Sequence, residues 1–130
     1  MKCVAGLVLG LLLACVCPWS RAYDPSIQWK TLTTRHFYIH FDPSYQHLAE
    51  KTALLAEQIH LKLSRELNWT PKEPTHLLLT DHTDLANGYA TPQPFNRSVL
   101  FVHPPNGGQL DFESWLESLI THEYTHVLHL

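Results

Sequence analysis

Cysteine is missing from all but the start of this chain: Cys3, Cys15 and Cys17 are the only three in 130 residues. Everything after Cys17 therefore lacks both disulfides and thiolates, which excludes a disulfide scaffold and a Cys-ligated zinc site for the body of the protein. Long hydrophobic runs are missing too. The most apolar stretch, residues 4–16, falls short of the roughly 20 residues that a membrane-spanning helix needs. Nor is there an excess of either charge: 9 Lys+Arg stand against 12 Asp+Glu, a net −3, so there is no electrostatic case for nucleic acid or an anionic membrane surface. Low-complexity tracts, internal repeats, a P-loop, a dinucleotide fingerprint and a Ser/His/Asp nucleophile set are all absent.

What is present begins with a leader. Residues 1–22 read as a secretory signal, with Lys2 as the positive start, the apolar stretch as its core and Ser20-Arg21-Ala22 as a small-x-small cleavage site. Leu12-Leu13-Ala14-Cys15 also has the shape of a bacterial lipoprotein signal, which would lipidate Cys15, so both processing routes stay open. Either way the expectation is an exported protein of the periplasm or cell surface, touching membrane only through a lipid on Cys15. Residues 23–130 suffice for one modest core.

The pattern of that body is mixed. Residues 29–34 and 36–41 are rich in β-branched and aromatic residues, and Phe37, Ile39 and Phe41 alternate with His36, Tyr38 and His40 as in a half-buried strand. From residue 45 to 68, Leu48, Thr52, Leu55, Ile59, Leu63 and Leu67 recur at three- and four-residue steps, an amphipathic helix ended by Pro71 and Pro74. Residues 75–80 read as an interior strand, residues 81–96 as loop because of Asn87-Gly88, Pro92 and Pro94, and residues 98–103 as another strand. Asp111 is a plausible N-cap for a last helix buried along Trp115, Leu116, Leu119, Ile120, Glu123, Val127 and Leu130. The fold class expected is α+β, with helices packed on a mixed sheet.

That last helix carries His122-Glu123-Tyr124-Thr125-His126, an H-E-x-x-H run. Four helical residues turn about 400°, so His122 and His126 lie one turn apart on one face and both reach a single Zn²⁺. Glu123 sits about 100° round, placed to take a proton from a metal-bound water and hand it to a leaving amine. The spacing thus encodes two metal ligands and a catalytic base. His129 lies about 10 Å along the axis from His122, too far to join them, and is expected to pack or to support the ligands. The other histidines are scattered without ligand spacing. His36 and His40 are four apart, but on a strand that is about 13 Å. Asp81, His82 and Asp84 are expected to serve turn chemistry.

Together with Ser114-Trp115-Leu116-Glu117, Arg35-His36-Phe37-Tyr38-Ile39, Leu77-Leu78-Leu79-Thr80-Asp81 and Asn87-Gly88-Tyr89-Ala90-Thr91-Pro92, this helix resembles the peptidase MA-like gluzincins of bacterial envelopes. The resemblance implies a zincin-like N-terminal half, zinc-dependent cleavage of peptide or protein substrates, and an edge strand, here residues 98–102, that pairs with extended peptide. It also implies a third zinc ligand, a glutamate on a later helix, and in many relatives a C-terminal β-propeller. Neither falls within these 130 residues, so the expectation is the N-terminal part of a longer protein, inactive by itself. The alternative is a non-catalytic envelope interaction module or a degenerate remnant without the third ligand.

Overall fold

The computed structural model describes residues 26–81, 87–103 and 111–129. The leader with Cys15, the residues His82 and Asp84, residues 104–110 and the final Leu130 lie outside the described residues.

A hairpin opens the sheet: Lys30–Thr33 (β1) turns back into Phe37–Phe41 (β2). The turn closes on itself, with the Thr34 N–H donating to the Phe37 carbonyl at 2.9 Å and the Phe37 N–H donating to Thr34 Oγ1 at 3.1 Å. Asp42 ends β2 because its carboxylate accepts the Ser44 N–H at 2.8 Å, capping a single 3-10 turn that begins with Pro43. That turn feeds Gln46–Glu66 (α1). The helix stops where Asn68 takes a left-handed conformation, φ 51°, and the Trp69 N–H bonds back to the Ser64 carbonyl at 3.1 Å. Asparagine tolerates that region better than most residues, and the six-to-one bond satisfies a carbonyl the helix end would otherwise orphan.

Thr75–Thr80 (β3), Gly88–Thr91 (β4), Arg97–Phe101 (β5) and Phe112–His129 (α2) complete the α+β fold. The five strands lie in the order β1-β2-β3-β5-β4. β2, β3 and β5 run parallel in the centre, and β1 and β4 flank them antiparallel, so the sheet is mixed. Both helices cover one face. Phe37, Ile39 and Phe41 of β2, Leu77 and Leu79 of β3 and Leu100 of β5 form one buried cluster with Ile59, Leu116, Ile120 and Val127 of the helices. The period-2 alternation of β2 turns Tyr38 and His40 to the opposite face, where His40 Nε2 lies 2.8 Å from His76 Nδ1 on the neighbouring strand.

Three expectations need correction. Residues 98–102 are not an edge strand: β5 is covered on its outer side by β4, which the sequence reads as loop. A four-residue strand opened by Asn-Gly and closed by proline carries too little periodicity to declare itself. The buried face of α1 keeps Thr52, Ile59 and Leu63 of the expected stripe, with Leu48 and Leu55 packed at its margin, but extends to Ala49, Ala53, Ala56 and His60 and leaves Leu67 37% exposed. Alanines let the helix axis approach the sheet, and the longer leucines at its flanks fill the margin.

Candidate functional site

The position of α2 is fixed at its start. Asp111 Oδ1 accepts the Ser114 N–H at 2.9 Å and Oδ2 accepts the Ser114 hydroxyl at 3.0 Å, a capping arrangement that also holds the Asp111 carboxyl below its usual pKa. With the helix phase so set, Trp115, Leu116, Ile120, Tyr124 and Val127 face the core, and His122 and His126 face outward. Their Nε2 atoms lie 3.2 Å apart, with ring centroids at 4.8 Å and ring planes at 83°. Two nitrogens held at about 2.0–2.1 Å from one tetrahedral zinc would be about 3.3 Å apart. The observed spacing fits that ion.

Glu123 is 3% exposed, between the outward histidines and the core. Burial pushes its carboxyl pKa above the ordinary value, and the positive forms of His122 and His126 pull against that rise. Gly88, at the start of β4, makes this placement possible. A Cβ there would stand 2.8 Å from the Val99 carbonyl oxygen and 2.9 Å from Glu123 Cγ. Only a residue without a side chain lets the edge strand pass so close to the carboxylate. Sequence reasoning missed Gly88 as a site residue, and its Asn-Gly signal pointed to a turn instead.

No protein-family model and no curated protein matches this chain. The site must speak for itself. Of the residues expected in it, His122, Glu123 and His126 come together, and His129 is exposed at the end of α2 rather than packed. No group of three His, Cys, Asp or Glu able to hold a metal ion occurs among the described residues, so a third protein ligand is not found there. No described helix is long and apolar enough to cross a membrane. Asp81 accepts the Tyr45 hydroxyl at 2.8 Å, a link between the end of β3 and the start of α1.

Behind the motif lies a polar relay that the sequence left scattered. Tyr124, fully buried beside Glu123, hydrogen-bonds His60 Nδ1 of α1 through its hydroxyl at 2.7 Å. The His60 ring stacks on His36 at 3.8 Å, and His36 Nδ1 donates to Glu57 Oε2 at 2.7 Å while its backbone N–H donates to Oε1 at 2.9 Å. Tyr124 thus fixes the rotation of α2 against α1. Tyr124→Phe keeps the edge contact with Phe37 (5.0 Å) but strands the buried His60 nitrogen. Urea unfolding of this variant should show a loss of about 1–3 kcal/mol.

The relay and the His40–His76 pair also set a pH dependence. Burial, with His76 nearby, lowers the His40 pKa; burial lowers that of His76; burial, with His36 and Arg35 nearby, lowers that of His60. Groups depressed in the folded state contribute stability that is complete above their unfolded pKa, about 6.5, and is lost as the pH falls through the folded value. Burial works to raise the Glu57 pKa, but hydrogen bonds from His36 and Thr34 outweigh it and leave the pKa lowered, which removes further stability below the ordinary glutamate range. Glu123, with its pKa raised, works in the opposite sense and recovers some stability on acidification. Urea midpoints measured from pH 8 to pH 4 should stay level down to about 6.5 and then fall.

Proposed function

We propose that the intact protein is an exported zinc-dependent peptidase of the gluzincin kind, with a zincin-like N-terminal half. The observation that carries this reading is the convergence of His122 and His126 at 3.2 Å with a buried carboxylate, Glu123, next to them in the same helix. His122 and His126 would hold the ion through Nε2, and the third protein ligand comes from outside the described residues. Zinc, when bound, supplies a Lewis acid that polarises a carbonyl and acidifies water. Glu123 takes the proton from the attacking water and delivers it to the leaving amine nitrogen. Its burial keeps bulk water off the carboxylate and holds it in one orientation against Gly88. Among the described residues no strand pairs with the outer side of β4, and that open side offers backbone groups to an extended peptide.

The test is metal analysis joined to an assay. The intact protein should bind about one zinc per chain and cleave unfolded protein, and a chelator should stop cleavage until zinc is restored. His122→Ala and His126→Ala should each lower zinc affinity by at least 10²-fold. Cleavage that survives both substitutions would remove the metal from the reading.

A further inference from the structure

A groove of about 760 Å³ opens at the end of the sheet where β4 finishes and β2, β3 and β5 begin. Trp69, Phe95, Tyr38, His76 and Pro92 are among its lining residues, and Val127 of α2 reaches it from the helix side. That volume lies in the range of a ligand site, about 300–1,000 Å³. Trp69 and Phe95 are each 46% exposed and line the groove together, so it presents aromatic surface to water. Both are held in place. The left-handed turn at Asn68 and the Trp69 backbone bond to Ser64 fix the first, and His76 (4.5 Å) with the Arg97 guanidinium (5.8 Å) braces the ring of the second.

The groove begins where β4 ends: Pro92, one of its lining residues, follows Thr91, the last residue of β4. A peptide pairing antiparallel with β4, its reacting carbonyl beside Gly88 and Glu123, passes Thr91 after three residues and reaches the groove about 13 Å on. Antiparallel pairing sends the N-terminal side of the peptide that way.

We propose that the groove is a specificity pocket for the substrate. It takes a large aromatic side chain three or four residues to the N-terminal side of the bond cut. This rests on the peptidase reading, and it names the class of peptide preferred: extended, with an aromatic anchor upstream of the cleavage point.

Binding tests it apart from cleavage. An eight-residue peptide of alanines and serines, with a single Trp moved along it, is titrated calorimetrically into the intact protein carrying Glu123→Gln. One Trp position should bind about tenfold tighter than the others. That preference should vanish in Trp69→Ala and in Phe95→Ala, and return in Trp69→Phe. Affinity that ignores the Trp position, or a preference that survives both alanine variants, overturns the pocket, as does failure of every peptide to bind. Wild-type assays on an unfolded protein separate the two ideas: zinc-dependent cleavage without an upstream aromatic preference sinks the pocket alone, whereas no cleavage sinks the peptidase reading as well.

Discussion

Glu123→Gln in the intact protein should leave zinc binding unchanged and reduce peptide hydrolysis by roughly 10²–10⁴-fold, the usual contribution of a positioned acid–base group. Glutamine is nearly isosteric with glutamate, so the packing against Gly88 survives, but the amide cannot accept the water proton and pass it on. The substitution also removes a buried carboxyl whose pKa burial has raised. The variant should accordingly fold as well as the parent or better at neutral pH, which separates a chemical loss from an unfolding loss. Zinc content by mass spectrometry, turnover and a urea melt of the same preparation decide the matter. Full turnover with normal zinc would strip Glu123 of its role.

Gly88→Ala should be the most damaging substitution at a position that carries no chemistry of its own. The added methyl would meet two neighbours at once, 2.8 Å from a backbone oxygen of β5 and 2.9 Å from Glu123 Cγ. The oxygen belongs to the Val99–Tyr89 ladder and yields little, so Glu123 must move. Overpacking of this sort costs about 1–3 kcal/mol. A displacement of the base by about 1 Å is worth about 10² in rate. The expected signature is a fall in kcat larger than any change in KM, with zinc still bound. A Gly88→Ala protein that turns over normally would mean that the edge strand does not position the carboxylate.

How much of this was legible beforehand follows from range. His122, Glu123 and His126 meet because of a helical step, and a step of four is visible in any sequence. The strands around Phe37 and Leu77 and the α1 helix announce themselves by local periodicity in the same way. What was hidden depends on partners far along the chain. His60 and Tyr124 are separated by 64 residues, and His40 and His76 by 36, so nothing local marks either pair. The alanine face of α1 was overlooked because leucines dominate any hydrophobic count. Gly88 read as a turn because Asn-Gly is the strongest short turn signal, whereas here it opens an edge strand. The third ligand that the proposed zinc needs does not occur among the described residues.

The strand order has a consequence for how the molecule comes to exist. Its two local pairings, β1 with β2 and β4 with β5, are peripheral. The parallel centre joins Phe37 to Thr75 and His76 to Arg97, contacts that close only after long stretches of chain have been ordered. Such topologies fold more slowly than helical bundles of the same size, because loop closure precedes the reward of contact. Until the β4–β5 hairpin docks, one side of β3 and its Leu77-Leu78-Leu79 run is a bare edge, open to any other unfolded chain. The yield of native protein is therefore a race between that hairpin and a neighbouring molecule, and dilution favours the hairpin.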